Sequence, residues 1–161
     1  MKHIPLTKGK EALVDDEDYE HLMQWKWHAA VRGRYAARDT RSFNRRRGSI
    51  VYMHDVVATR VGLSGKIDHA NRNTLDNRRH NLRPATGSQN GANRGPQANN
   101  TSGYKGVVRV RGRWRAQIKV NQRFHSLGHF PLTEIGKMEA ARTYNRAAIQ
   151  HFGEFAVLNP V

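Results

Sequence analysis

The sequence lacks cysteine altogether, which excludes disulfide bonds, thiolate zinc sites and cysteine nucleophiles. It also lacks a long apolar run, so a membrane-spanning segment is not expected. The first residues, MKHIPLTKGKEALVDDED, do not contain the apolar core of a secretory signal peptide. These absences predict a soluble, intracellular protein that is not secreted.

Acidic residues are scarce, since 13 Asp and Glu stand against 28 Lys and Arg, and the formal net charge is +15. A chain this basic is expected to bind a polyanion, and nucleic acid is the first candidate. Residues 99–161 hold 10 of the basic side chains and 3 of the acidic ones, so the C-terminal third is the expected electrostatic grip on DNA. Membrane binding is the weaker alternative, because no strongly hydrophobic amphipathic face is present.

One polar stretch, residues 67–94, reads IDHANRNTLDNRRHNLRPATGSQNGANR. A short apolar lead-in ends at Asp68-His69, a turn-rich loop follows, and residues 81–83 give a second strand signal before a short helical turn near Asn90. Hydrolysis of a phosphodiester needs a base for the attacking water and positive charge at the phosphoryl oxygens. An imidazole can be that base near neutral pH, and carboxylate and amide oxygens suit a hard cation.

This stretch resembles the catalytic motif of the HNH, or ββα-metal, endonucleases, in particular the phage and intron homing type. The resemblance implies that His69 is the general base. His54 either assists it or is a histidine packed at the start of a helix. It implies that Asp68 and Asn90 bind one divalent cation, Mg²⁺ or alternatively Mn²⁺, which takes its remaining ligands from water and DNA phosphate. Zinc-stabilised members of the family are excluded by the lack of cysteine.

Two asparagines can orient the imidazole, Asn81 and Asn77, and the spacing and the following leucine favour Asn81. Its amide is expected to donate to His69 and to fix the tautomer of the ring. Neighbours on a regular strand point to opposite faces, so the strand must end or twist at Asp68-His69 for both side chains to serve one site. The nuclease hypothesis further requires that Asp68 and Asn90 can share an ion and that His69 is open to solvent.

Residues 1–53 predict a small α/β region with two short strands joined by a turn and an acidic helix start at Asp15. Trp25, Trp27, Tyr35 and Ala37 continue as alternating strand positions, and the aromatic side chains are expected to form a small core. A second helix is predicted over residues 54–62, closed by a glycine. The resembling endonucleases usually carry a His-Arg pair at its start, whereas here His54 is followed by Asp55, and no catalytic role is carried over to Asp55. For the loop Arg45–Arg47, simple solvation and phosphate contact both stay open.

From Tyr104 the pattern changes to period-two alternation, which predicts a three-stranded sheet. Thr133 then caps a helix that ends at Gly153 and has apolar side chains, beginning with Ile135, at spacings of three and four. YKGVVRVRGRWRAQIKV, SLGHF and TEIGKMEAARTYNRAA resemble the APETALA2/ethylene-response-factor DNA-binding domain, which implies that the sheet enters the major groove of DNA. Trp114 is expected to face the helix. The predicted DNA contacts on the sheet are expected to share its exposed face: Lys105, Arg109, Arg111, Arg113, Arg115, Gln117, Lys119 and Arg123. Two further predicted DNA contacts, Arg78 and Arg79, lie in the nuclease stretch.

Together these patterns predict an α+β protein with a small N-terminal α/β region that contains the ββα-metal motif, then a linker, then a three-stranded antiparallel sheet on one helix. The expected domains are 1–93 and 103–161, joined by 94–102. The predicted function is metal-dependent endonucleolytic cleavage of double-stranded DNA by a monomer or homodimer, in the cytoplasm of a bacterial or phage-infected cell.

Two rival functions remain open. The first is a non-catalytic, sequence-specific DNA-binding regulator on a decayed nuclease scaffold. The second is an RNA-binding factor, which is disfavoured because the sequence indicates no aromatic stacking platform on the exposed face of the sheet.

Overall fold

The structure is a computed structural model that describes residues 1–40 and 49–161, so the predicted arginine loop Arg45–Arg47 lies outside the described residues. The described residues form a mixed α+β protein with small antiparallel sheets, as predicted. Their contacts divide the chain into two compact units, Met1–Ala85 and Thr86–Val161. Each unit is described by itself below.

The first unit begins with the predicted hairpin and helix and ends with a second hairpin. Its elements are β1 (Lys2–Pro5), β2 (Glu11–Val14), α1 (Asp16–Leu22), β3 (His28–Ala30), β4 (Tyr35–Thr40), β5 (Ser49–Tyr52), α2 (Met53–Arg60), β6 (Ile67–His69) and β7 (Leu82–Pro84). Strand β1 pairs with β2, β4 lies between β3 and β5, and β6 pairs with β7. The predicted strand positions Trp25 and Trp27 are wrong, because both precede β3, whereas the predicted positions Tyr35 and Ala37 lie on β4.

The core of the first unit is built from the inward positions of these short elements. Ile4, Val14, Leu22, Met53 and Val57 are almost completely buried in one apolar cluster. Trp27 joins them and donates its indole N–H to the carbonyl of Leu22 at 2.8 Å. The predicted aromatic contribution to a small core is therefore confirmed for this residue.

The connection between β6 and β7 is held in place by strand β2. Leu13 donates its N–H to the carbonyl of Leu75 and accepts from the N–H of Asn77, both at 2.8 Å. These bonds continue the edge of the β1–β2 hairpin into the polar loop. A loop rich in Asn and Asp is thus fixed by backbone pairing as well as by its side chains.

The second unit contains α3 (Gly87–Ala92), β8 (Val107–Val110), β9 (Arg113–Val120), β10 (Arg123–Phe130) and α4 (Glu134–Phe152). Strand β9 lies between β8 and β10, which is the predicted three-stranded antiparallel sheet. Helix α3 belongs to this unit, although the sequence placed it in the nuclease half. The predicted domain limits stay a prediction.

Helix α4 starts and ends where the sequence predicts. The Thr133 hydroxyl accepts from the N–H of Gly136 at 3.1 Å, and Gly153, with φ of 49°, ends the helix. Ala140 and Ala141 pack on Ala116 of β9, with Trp114 half-buried against the same cluster as expected. Ile135 was counted with the apolar face but is 71% exposed.

None of the described helices is both long and apolar enough to cross a lipid bilayer.

Candidate functional site

Strand β6 ends at the Asp68-His69 pair. After His69 the chain turns at once, since Ala70 donates to the carbonyl of Asn81 and Arg72 donates to the carbonyl of His69, both at 2.9 Å. The predicted end of the strand at this pair is confirmed. The chain can therefore direct the two side chains away from the strict alternation of a continuing strand.

His69 is deeply enclosed, with an exposed fraction of 4%. Its ring centroid lies 5.1 Å from that of His54 and 6.2 Å from that of Tyr35. Burial lowers the pKa of His69, and the hydrogen bond with Asn77 and the nearby carboxylates oppose this shift. The imidazole is thus neutral at pH 7, as a base must be, but the expectation that it is open to solvent is wrong.

The side chain that contacts the imidazole is Asn77, not Asn81. The Asn77 Oδ1 atom lies 3.3 Å from Nε2 of His69, and its Nδ2 donates to the carbonyl of Leu75 at 3.2 Å. Asn81 instead accepts from the N–H of Asn71 at 2.9 Å and donates to the carbonyl of Asp76 at 2.7 Å. The predicted bond from Asn81 to the imidazole is therefore wrong, since its amide braces the loop.

His54 lies in the first turn of α2 and contacts the same ring cluster. The Tyr52 ring stacks on the His54 ring, with centroids 5.4 Å apart. The Nε2 atom of His54 lies 3.4 Å from Oδ1 of Asp55. Burial, with the charge of His69, lowers the pKa of His54 to about 4, and burial raises the pKa of Asp55. The Nδ1 atom of His54 is buried and has no hydrogen-bond partner among the described residues.

Asp68 is the predicted carboxylate ligand of the metal and lies in the first unit. It is 5% exposed, and Arg83, its cross-strand partner on β7, places Nε 3.2 Å from its Oδ2. Among the described residues, no group of three or more His, Asp or Glu side chains could hold a metal ion. A carboxylate still suits Mg²⁺, which commonly binds to one or two carboxylates and completes its shell with water and substrate phosphate. Asn90, the other predicted ligand, lies on α3 in the second unit.

Arg78 and Arg79, two of the predicted DNA contacts, are paired with aspartates of their own unit. Arg79 donates Nε and Nη2 to the two oxygens of Asp18 at 2.7 and 2.9 Å, and Arg78 reaches both oxygens of Asp76 at 2.7 Å. Asp18 is 0% exposed and also accepts from Nε of Arg60 at 2.9 Å. Ion pairs within the fold therefore account for the positions of Arg78 and Arg79, and a DNA contact is not needed to explain them.

The sheet of the second unit presents a basic face away from α4. Residues directly opposite in an antiparallel pair share a face, and the register sets Lys119 opposite Phe124, Gln117 opposite Ser126, and Arg115 opposite His129. Arg113 lies on the same face, whereas the buried Ala116 and Ile118 face the other way. Four predicted DNA contacts, Arg113, Arg115, Gln117 and Lys119, are thus brought together on this basic sheet face.

Other predicted DNA contacts are not on that face. Arg109 is opposite Trp114 and Arg123 is opposite Val120, which sets both on the side of the sheet that packs on the helix. Arg111 lies in the β8–β9 turn with φ of 48°. The expectation that Arg109 and Arg123 join the exposed face is wrong. In this register an odd-numbered residue of β8, or of the start of β10, lies opposite an even-numbered residue of β9, so odd-numbered residues of neighbouring strands lie on opposite faces.

Lys105 has a different set of partners. Its Nζ donates to the carbonyls of Gly91, Ala92 and Arg94 at the C-terminal end of α3. The carbonyl end of a helix attracts a cation, because its unpaired oxygens carry partial negative charge. The fold thus accounts for Lys105 as a clamp on the segment that follows α3.

The basic sheet face also carries an aromatic residue that the sequence did not reveal. Phe124 is 67% exposed, and Nζ of Lys119 lies 5.4 Å from its ring centroid. The expectation that this face has no aromatic platform is therefore wrong. Asn121 and Gln122 form a two-residue turn with positive φ at both positions. A turn of this length sets Arg123 opposite Val120 and Phe124 opposite Lys119, so the turn length is the signal that could have placed Phe124 on this face.

Comparison with known proteins finds a relative that matches nearly all of this chain. The chain is 29% identical over 161 residues to an uncharacterized HNH endonuclease of Acanthamoeba polyphaga mimivirus, in a match that covers 96% of this chain and 77% of the relative. No family profile matches the chain, and no solved structure is significantly similar to it. The name of this relative supports an assignment of the chain to the HNH nucleases and, with it, nuclease activity in general.

Proposed function

We propose that the chain is a metal-dependent DNA endonuclease of the homing type, with His69 as the general base. The observation that carries this proposal is an imidazole at the end of β6, directly after a carboxylate and in contact with an asparagine amide. The name of the mimiviral relative agrees with this chemistry. Double-stranded DNA is the proposed substrate, and the closing experiment below tests the assignment.

The hydrogen bonds around Asn77 indicate which nitrogen of His69 is basic. Because Nδ2 of Asn77 donates to the carbonyl of Leu75, its Oδ1 faces the imidazole and can only accept. The neutral ring then carries its proton on Nε2, and Nδ1 has the lone pair that removes a proton from water. Asn77 is thus the proposed positioning residue for the general base.

His54 is the proposed second histidine. Its low pKa keeps it uncharged, so next to His69 it does not repel the imidazolium that forms when water is deprotonated. Its buried Nδ1 is a polar atom whose partner a substrate phosphate could supply. Asp68 would hold a Mg²⁺ or Mn²⁺ ion, which when bound would neutralise charge on the phosphoryl oxygens.

The basic sheet face is the proposed anchor on duplex DNA. Arg113, Arg115 and Lys119 supply phosphate contacts, and Gln117, which accepts from Nη2 of Arg115 at 2.7 Å, is held in position on the same face. Phosphate contacts position a protein on DNA without reading its sequence. In this proposal the second unit keeps the duplex near the nuclease motif.

The second candidate is a DNA-binding regulator without nuclease activity, and the burial of the motif favours it. His69 is 4% exposed, and the Asp68 carboxylate is already paired with Arg83. A general base must reach a water molecule, so the nuclease proposal requires that DNA binding uncover His69 and that a cation compete with Arg83.

Relaxation of supercoiled plasmid in the presence of Mg²⁺ tests the proposal. Wild type should nick the plasmid, His69→Ala should lose nearly all activity, and EDTA should abolish cleavage. His80→Ala is the matched control, because His80 is exposed in the same unit. Equal inactivity of wild type and His69→Ala, with DNA binding intact in both, would support the regulator.

A further inference from the structure

The second unit contains a groove of about 620 Å³. One wall is the segment 94–101 with the end of α3, and the other is the sheet, including Gln117, Lys119 and Phe124 from its basic face. This volume is within the range of pockets that hold small organic molecules, which includes a nucleotide. The groove therefore offers a partly open space beside a surface that already carries positive charge.

Phe124 is the most exposed aromatic feature of this groove. Its ring is 67% exposed on the basic sheet face, although a phenylalanine of this size is normally buried. Lys119, directly opposite on β9, holds its ammonium 5.4 Å from the ring centroid. An exposed ring beside a cation is the combination that stacks a nucleobase while the ammonium meets the phosphate.

The remaining lining is a mixture of polar and apolar side chains and carries no negative charge. Arg94 and Lys119 are cationic, Gln97, Asn99 and Gln122 bear amides, and none of the described residues that line the groove is acidic. Amides can both donate to and accept from base edges that are not engaged in pairing. The charge and hydrogen-bonding character of the lining thus match a nucleic acid strand whose bases are unpaired.

We propose that this groove binds a short unpaired stretch of DNA, with Phe124 as the stacking surface and Lys119 as the phosphate contact. The proposal deepens the proposed endonuclease function on which it rests, because it gives the second unit a preference for melted or nicked DNA over an intact duplex. In a duplex the faces of the bases are covered by their neighbours, so Phe124 can stack only where pairing is disrupted.

Fluorescence anisotropy with a labelled single-stranded oligonucleotide, and with the same strand in a duplex, tests this proposal at fixed ionic strength. Phe124→Ala should weaken single-strand binding about tenfold or more and leave duplex binding nearly unchanged. Phe124→Leu should lose almost as much, because it keeps apolar area without a ring, and Phe124→Trp should retain binding. Ile135→Ala is the matched control, since Ile135 is 71% exposed on α4.

Equal loss of single-strand and duplex binding in Phe124→Ala, or no greater loss than in Ile135→Ala, would overturn the proposal. Tighter binding of RNA of the same sequence, also lost in Phe124→Ala, would overturn it in favour of an RNA site. The plasmid assay separates the two ideas, because wild-type nicking reports the endonuclease function and the anisotropy of Phe124 variants reports the groove. Thermal melts of all variants exclude unfolding as the cause.

Discussion

The two candidate asparagines should respond to truncation in opposite ways. Asn81→Ala removes two hydrogen bonds of the buried loop, at 2.9 Å from Asn71 and at 2.7 Å to Asp76. An unsatisfied buried partner costs about 1–3 kcal/mol, so this variant should lose about 3 kcal/mol of unfolding free energy. Asn77→Ala removes longer contacts, at 3.3 and 3.2 Å, and should lose about 1 kcal/mol.

Activity should show the reverse order. Asn77→Ala releases the ring of His69, and a misplaced base can lower kcat by about 100-fold. Asn81→Ala does not contact the imidazole, so at temperatures where it is folded its kcat should stay within about threefold of wild type. Urea denaturation measures the first effect, and single-turnover nicking measures the second. A low kcat in Asn81→Ala together with normal kcat in Asn77→Ala would refute the assigned roles.

Three further predictions concern the ion pairs, the sheet and one glycine. Asp18→Asn should destabilise the protein by about 3 kcal/mol in urea denaturation, because a buried carboxylate partner of two arginines is lost. Since hydrogen bonds from arginine lower the pKa of Asp18, its contribution is present above pH 3.8 and disappears as pH falls through the lower folded value, where the variant and wild type should converge. Arg115→Gln should reduce the salt slope of duplex binding by about 1, whereas Arg109→Gln on the helix side should leave it unchanged; equal slopes would contradict the face assignment. Gly106→Ala should destabilise the protein in thermal melts by about 3 kcal/mol, because φ is +73° and a Cβ would lie 2.0 Å from Cδ2 of Tyr144; an unchanged Tm would contradict this packing.

Local patterns in the sequence were sufficient to predict several ends of helices and strands. The start of α4 at Thr133, its end at Gly153, and the strand end at His69 all follow from capping, glycine or turn signals within a few residues. Such features depend on neighbours in the chain. They can be predicted without knowing what packs against them.

Features set by pairing between strands were harder to predict. Arg109 and Arg123 were assigned to the wrong face because the register, including the shift between Ser126 and Gly128, decides which parity of each strand is exposed. The pair Asp68–Arg83 could have been found, since an antiparallel β6–β7 hairpin sets these residues opposite each other.

Side-chain partners within the polar loop were beyond sequence reasoning. Asn77 and Asn81 are chemically identical, and only the backbone bonds from β2 determine which of them turns toward His69. The burial of His69 depends likewise on Tyr35 and His54, which come from distant positions in the chain. The metal ligands and the DNA contacts at the basic sheet face stay predictions.

The clamp made by Lys105 has a practical consequence for dissecting the protein. Its ammonium gathers the carbonyls of Gly91, Ala92 and Arg94, and Val157 donates its N–H to Ala92 at 3.2 Å. A fragment that begins at residue 103 would lack the three carbonyl oxygens that accept from the Lys105 ammonium. It would also lack the Ala92 carbonyl that accepts from Val157 in the C-terminal tail. Residues 94–102, which the sequence predicts to be a linker, are therefore part of the smallest fragment expected to fold alone. That fragment starts no later than Thr86.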